Sequence, residues 1–379
     1  MRIRFLHSSD WQLGVTRRFL SEDAQARWSA ARFDAVRRLG EVAAEERCEF
    51  VVVAGDLFES NQVDRRTVAR ACEALAAIRL QVFLLPGNHD PLDAGSVFRS
   101  PTWAARKPAH VQVIEELGRP VEVRPGIEVA GAPWTSKRPL RDLVAAAAHQ
   151  LVPHGGGLRI LVAHGVVDTL SPDPHDPAAI RVSDAERAIA DGRFHFLALG
   201  DRHSLASVGA SGRIWYSGTP EAYDFQEDNP GNALIVDVGP DEVVTIPRHV
   251  GEWRFLEERA EVSSTEEIEA LARHLESLAD KERTILRLGL RGTLTLRQRA
   301  RLDEIVDHAG DLLAAVIRSE SSSELAVLPD DSDFTDLTLA GFAAAAVEKL
   351  RSQAAANGTD ATVARDALAL LLRLVGRRA

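Results

Sequence analysis

The chain has 379 residues, 45% of them hydrophobic, with 45 Lys/Arg against 56 Asp/Glu and a formal net charge of −11. No apolar run approaches the ~20 residues of a membrane-spanning helix, and two cysteines, Cys48 and Cys72, are too few for a disulfide scaffold. The length predicts two or three units, and the absence of an apolar leader before the first strand-like segment predicts a cytoplasmic protein.

The charge is uneven. Residues 1–150 carry 21 Lys/Arg against 19 Asp/Glu, and the remainder carries 24 against 37. Steering of a polyanion depends on local field rather than net charge, so the acidic total does not by itself exclude a nucleic-acid substrate.

In chain order, apolar runs at 2–7, 50–53, 82–85, 160–163 and 194–199 predict buried strands, and the stretches 22–46 and 63–78 predict amphipathic helices between them. Such alternation implies crossover units with buried sheets. Segments 213–216, 233–238 and 242–246 predict strands that complete the sheets. From Trp253 the rhythm changes to a strand, a helix at 265–278, a strand at 284–290, a helix at 296–309 and a strand at 313–318. An acidic loop, Asp330-Asp331-Ser332-Asp333, then leads to two Ala/Leu-rich helices at about 340–355 and 361–374. The expected organisation is a catalytic domain over 1–250, an α/β cap over 251–325 and a helical tail over 326–379.

Each of the five apolar runs ends in residues able to bind metal. The first gives His7-Ser8-Ser9-Asp10-Trp11-Gln12-Leu13-Gly14, the second Gly55-Asp56-Leu57-Phe58, the third Gly87-Asn88-His89-Asp90. The fourth ends at His164-Gly165 and the fifth at Gly200-Asp201-Arg202-His203. Ligands at the carboxyl ends of successive buried strands converge on one crevice. A lone Gly-Asp is an ordinary turn; five such endings in order are a site.

This set resembles the calcineurin-like metallophosphoesterase superfamily, and the opening His-Ser-Ser-Asp-Trp-x-Leu-Gly resembles its branch of SbcD-type DNA repair nucleases. The similarity runs through about residues 1–250, including Tyr216-Ser217-Gly218. It implies an α/β fold, a four-layer αββα sandwich followed by the small α/β cap and helical tail. It also implies two divalent metals, one held by Asp10, Gln12, Asp56 and His203 and the other by Asp56, Asn88, His164 and Asp201. Asp56 would bridge them. Two cations ~3.5–4 Å apart need a shared carboxylate, activate a water between them and neutralise charge on phosphoryl oxygens. His89, beside a ligand but outside the ligand set, is the expected general acid, with Asp90 expected to hold its ring.

The chain departs from the family pattern at three places. Gln12 and Asp201 stand where the family has His, and Glu59 stands where the nuclease branch often has His. The first two exchanges replace nitrogen by oxygen, which favours Mn²⁺ or Mg²⁺ over Zn²⁺. Among substrate contacts, Arg202 lies between two ligands. Arg17, Arg18, Arg65, Arg66, Arg99 and Arg106 could line a phosphate groove, and Trp11, Phe58 and Tyr216 could stack on bases. The expected function is a Mn²⁺-dependent DNA phosphodiesterase, endo- or exonuclease, acting in repair. The alternatives are a small-nucleotide phosphodiesterase or phosphatase, and a non-catalytic scaffold built on a degenerate site. The expected partners are DNA that is single-stranded or has exposed ends, an SbcC-type ATPase that the last helices could contact, and a second copy of the chain. No membrane association is expected.

Overall fold

A computed structural model describes residues 1–173, 175–319, 323–327, 342–355 and 359–376. The chain divides into two compact units, Met1–Arg17 with Gln25–Trp253, and Arg18–Ala24 with Arg254–Ala379.

In the first unit the strands are β1 (Ile3–Ser8), β2 (Phe50–Ala54), β3 (Gln81–Leu85), β4 (Val111–Val113), β5 (Val121–Arg124), β6 (Ile127–Ala132), β7 (Leu158–His164), β8 (Phe196–Gly200), β9 (Ala206–Val208), β10 (Ile214–Tyr216), β11 (Asn232–Val238) and β12 (Val243–His249). They form two six-stranded sheets, ordered β12-β11-β1-β2-β3-β4 and β5-β6-β7-β8-β10-β9. The helices are α1 (Glu22–Glu45), α2 (Arg65–Ala77), α3 (Pro101–Arg106), α4 (Leu143–Gln150) and α5 (Val182–Ala190). β1, β2 and β3 run parallel, as do β6, β7 and β8. Strands covered on both faces read as continuous apolar runs rather than alternations, and β2, β7 and β8 are buried at every residue.

The two sheets face each other across a layer containing Phe5, Phe50, Val52, Phe83, Ile160 and Phe196. Phe5 stacks on Phe50 of its own sheet at 5.0 Å and meets the edge of Phe196 of the facing sheet at 5.7 Å, so one aromatic residue links the two sheets. Outside the first sheet, Phe33, Val36 and Leu39 of α1 and Ala71 and Leu75 of α2 cover Leu6, Val51 and Val53. Outside the second, Ala147 of α4 and Ala185 of α5 cover Leu161 and Leu197. Helix, sheet, sheet and helix therefore lie in four layers.

The sequence reading passes over β4, β5, β6 and β9 and the helices α3, α4 and α5. β6 reads Ile-Glu-Val-Ala-Gly-Ala, and its small residues carry little strand signal. Gly131 is small there because a Cβ would come within 2.6 Å of the Ile114 side chain.

In the second unit, β13 (Arg254–Glu261), β14 (Thr284–Leu294), β15 (Ala315–Arg318) and β16 (Glu324–Val327) form a parallel sheet, with β14 pairing all three others. α6 (Thr265–Ser277) and α7 (Leu296–Leu312) each begin with a capping box, Ser264 with Glu267 and Thr295 with Gln298. These reciprocal bonds satisfy N–H groups that a first turn leaves free. α8 (Phe342–Ala354) and α9 (Thr359–Gly376) follow. Val347, Ala364 and Leu368 pack with Leu296 of α7, so α8 and α9 rest on α7. The acidic loop at 330–333 lies outside the described residues. No helix among the described residues is long and apolar enough to cross a membrane.

Candidate metal centre

The ends of β1 and β2 continue past their strands in step. Asp10 N–H donates to Gly55 O, Gln12 N–H to Asp56 O, Leu13 N–H to Leu57 O and Glu59 N–H to Leu13 O, at 2.9–3.1 Å. Asp10 and Asp56 both adopt φ near +55°, and Gln12 φ +47°. Left-handed backbone at non-glycine residues persists only where the surroundings fix it, and here main-chain bonds and a buried guanidinium do so. Arg32 of α1 donates from Nε and Nη2 to Trp11 O, and from Nη1 to the carbonyls of Glu221 and Ala222.

These loops bring buried groups together. One ligand atom each of Asp10, Asp56 and His164 lies within 4.8 Å of the others. His164 Nε2 is 3.5 Å from Asp56 Oδ2, 3.6 Å from Asp201 Oδ1 and 2.8 Å from Asn88 Oδ1. Gln12 Nε2 donates to Asp56 Oδ2 at 2.9 Å. Asp201 N–H donates to both Asp10 oxygens at 3.1 Å, and Ser9 Oγ donates to Asp10 Oδ2 at 2.6 Å. His203 stands outside the tight triad, with Nδ1 2.9 Å from Glu227 Oε1. Glycine is required beside these groups. Gly55 has φ +91°, and a Cβ there would fall 2.1 Å from His164 Nδ1; a Cβ on Gly87 would fall 2.1 Å from Asp56 Oδ1.

The electrostatics are those of a pocket built for positive charge. Burial, outweighing the pull of His164 and His203, raises the Asp10 carboxyl, and burial likewise raises Asp201. Burial opposes charge on His164, yet Asp56, Asp10 and Asp201 together hold its pKa up at about 9. His203 is also raised: burial opposes its charge, and the bond to Glu227 and the charge of Asp10 prevail.

One further observation fits divalent ions to these residues: Gln12 Oε1 is buried without a hydrogen-bond partner among the described residues. The Asn88 amide lies 3.0 Å from Asp56 Oδ2 and 2.8 Å from His164 Nε2, and with its nitrogen turned towards Asp56 it donates to that carboxylate. Carboxylate, amide oxygen and imidazole are together a donor set for a divalent cation.

The expected roles of several residues are corrected. Asp90 does not hold the His89 ring. Its buried carboxylate accepts N–H bonds from Phe58 at 3.0 Å and Gly87 at 2.8 Å, clamping two ligand loops, and burial and Asp56 raise its pKa. The ring partner of His89 is the Glu59 carbonyl, 2.8 Å from Nδ1, while Nε2 lies 4.0 Å from Asp56 Oδ2. Tyr216 cannot stack on a base, because it is buried. Its Oη donates to Gly165 O and accepts from Val167 N, fixing the loop after His164. Trp11 and Phe58 are buried too, Trp11 donating to Ser8 Oγ and Phe58 packing against Phe98 and Trp103. The Arg17 guanidinium is taken up by the Tyr223 carbonyl and ring face. Arg18, Arg66 and Arg99 are exposed. Arg65 and Arg106 line a hollow of about 610 Å³ between α2 and α3. Arg202 is half-buried beside the ligands, with Nε unbonded among the described residues.

Residues that the sequence motifs do not flag also support the site. Trp134 donates from Nε1 to His164 O at 2.7 Å and sets its ring edge-on to the imidazole at 6.0 Å. Glu227 and Tyr223 flank His203. All three lie in loops without periodic signal and far in sequence from the residues they touch.

The chain is 33% identical over 121 residues to the SbcD component of the nuclease SbcCD from Rhodobacter capsulatus, covering 31% of this chain and 25% of that protein. It is 36% identical over 92 residues to "DNA double-strand break repair protein Mre11" of Archaeoglobus fulgidus, covering 23% of this chain and 19% of that protein. The matches therefore span a quarter or less of these relatives' own lengths. Among solved structures, a dimetal phosphatase from Danio rerio has a TM-score of 0.44 at 12% identity, covering 65% of this chain and 96% of that one. The sequence profile of the calcineurin-like phosphoesterases matches residues 3–253, well over half of the chain and the whole span of the five ligand loops, and the protein belongs to that family.

Proposed function

We propose that this protein is a Mn²⁺-dependent phosphodiesterase that cleaves DNA, as an endo- or exonuclease, in repair within the cytoplasm. The observation that carries the reading is the convergence of Asp10, Asp56 and His164 beside a partly exposed histidine, His89, whose Nε2 is the ring nitrogen left free. Asp10, Gln12, Asp56 and His203 would hold one ion, and Asp56, Asn88, His164 and Asp201 the other. When bound, the ions supply a water of lowered pKa and offset charge on the phosphoryl oxygens.

The chain supplies the rest. Glu59 O fixes the His89 tautomer with the proton on Nδ1. A protonated Nε2 then donates to the leaving sugar oxygen as the P–O bond breaks, while the attacking water releases a proton to solvent and leaves its oxygen on phosphorus. Arg202, half-buried and between Asp201 and His203 in sequence, is the proposed phosphate contact. A partner of the SbcC kind belongs to the same proposal, by likeness to a relative named as part of SbcCD.

The test is cleavage by the Mn²⁺-loaded protein of circular single-stranded DNA and of end-labelled linear DNA. Cutting of circles indicates an endonuclease, and release of labelled mononucleotides an exonuclease. Activity on nucleotides alone would instead favour a small-nucleotide phosphodiesterase. Inertness on all of these with metal bound would refute the catalytic reading.

A further inference from the structure

The two imidazoles of the candidate ligand set are held differently. His164 Nδ1 meets a neutral carbonyl, Ala54 O, at 2.9 Å. His203 Nδ1 meets a carboxylate, Glu227 Oε1, at the same distance. The Glu227 side chain is only 4% exposed, so the contact is shielded from water. Its other oxygen accepts the Tyr223 N–H at 2.8 Å. Tyr223 sets its ring edge against His203, with centroids 4.7 Å apart, and Arg17 covers the Tyr223 ring at 4.1 Å. One residue on, Asp228 N–H donates to Ser204 Oγ at 2.8 Å. Segment 223–228 is thus a strap fastened along the loop that carries His203.

A carboxylate bonded to the remote nitrogen of an imidazole fixes the tautomer and raises the electron density at the near nitrogen. Nδ1–H donates to Glu227, and the Nε2 lone pair is left for a cation. The other unusual donor assigned to the same ion is Gln12, whose amide oxygen is neutral and whose nitrogen is already bonded to Asp56. That pocket therefore combines one of the two neutral amide donors of the set with the more strongly supported of its two imidazoles.

We infer that Glu227 is a positioning residue for His203, and that by strengthening this imidazole it compensates for the weak amide donor Gln12 at the same metal ion. The inference rests on the two-ion reading above.

The test is Mn²⁺ binding to the full chain by equilibrium dialysis and calorimetry, with no substrate present. Wild type should bind two ions. Glu227→Gln keeps the shape of the contact and removes its charge, and should weaken one ion by about 10–100-fold, the usual cost of losing such a partner, with the other unchanged. Adding Gln12→His to Glu227→Gln should restore most of the lost affinity, because an imidazole then replaces the weak amide; a merely structural role for Glu227 would not be rescued in this way. Glu227→Asp, whose carboxylate is one methylene shorter, should fall between wild type and Glu227→Gln. Two ions bound with wild-type affinity by Glu227→Gln, or equal weakening of both ions without rescue, would overturn the inference while leaving the two-ion reading intact. Wild type that binds no Mn²⁺ would overturn both.

Discussion

Replacing His89 by alanine separates leaving-group departure from the rest of the reaction. The side chain is 36% exposed, with Nδ1 bonded to Glu59 O and Nε2 4.0 Å from Asp56 Oδ2. A carbonyl can only accept, so Nδ1 keeps its proton and Nε2 is the nitrogen that exchanges one. A positioned general acid contributes ~10²–10⁴-fold. Because a third of this side chain faces solvent, water can reach the place it vacates, and the low end applies. The expected loss on DNA is ~10²-fold, or about 2.7 kcal/mol of barrier. Nitrophenolate leaves without a proton at neutral pH, so bis-nitrophenyl phosphate should be hydrolysed at most of the wild-type rate. The assay is parallel turnover of an oligonucleotide and the activated diester by metal-loaded wild type and His89→Ala, with metal content measured on the same samples. Equal losses on both substrates would refute acid catalysis and place His89 in orienting the attack. No loss on DNA would leave it without a chemical role.

Asp56→Ala should abolish hydrolysis of every phosphodiester and reduce bound Mn²⁺, since it removes the one carboxylate assigned to both ions; wild-type turnover would show the bridge is misassigned. Activity should be higher with Mn²⁺ than with Zn²⁺, because Gln12 and Asp201 offer oxygen, and Gln12→His should shift the preference towards Zn²⁺; Zn²⁺-optimal wild type would contradict the argument. Asp90→Ala strands the buried N–H groups of Phe58 and Gly87, at about 1–3 kcal/mol each, so urea unfolding should report a loss of about 2–6 kcal/mol; a negligible change would mean water replaces the carboxylate.

The last prediction concerns pH. In metal-free protein Asp10, Asp90 and Asp201 are raised by burial, and His164 is held at about 9. A group raised in the folded state contributes stability that is present below its unfolded pKa and lost as pH climbs through its folded pKa. Metal-free protein should therefore lose stability with rising pH, the His164 share between 6.5 and about 9. Bound Mn²⁺ removes that loss, so the gain in Tm on adding Mn²⁺ should widen across this window. A pH-independent gain would exclude the charge argument.

The first unit is legible in sequence because strands buried on both faces must be apolar throughout, and each such run here stops at a polar loop. The contacts across those loops are not. Asp90 follows His89 directly, yet the main chain turns its carboxylate towards Phe58 and Gly87 instead of the ring. Tyr216, Trp11 and Phe58 lie within or beside motif residues, and adjacency does not say whether an aromatic side chain faces solvent or core; all three face inward. Glu227 is 24 residues beyond His203 on a strap without helical or strand periodicity, and only the folded chain brings them together. β6 escapes notice because its small residues answer to the packing of Ile114 and Leu85 rather than to strand propensity.

The paired loops at the ends of β1 and β2 bear on how such a centre can change over generations. Candidate donor positions 10, 12 and 56 are held by main-chain hydrogen bonds between the two loops, which a side chain that tolerates the left-handed backbone there leaves intact. An exchange at position 12 therefore alters what is offered to a cation without disturbing where it is offered. Metal preference can drift residue by residue while the scaffold stays constant. The same separation makes position 12 a natural site at which to vary cation selectivity while the bonds between the loops are kept.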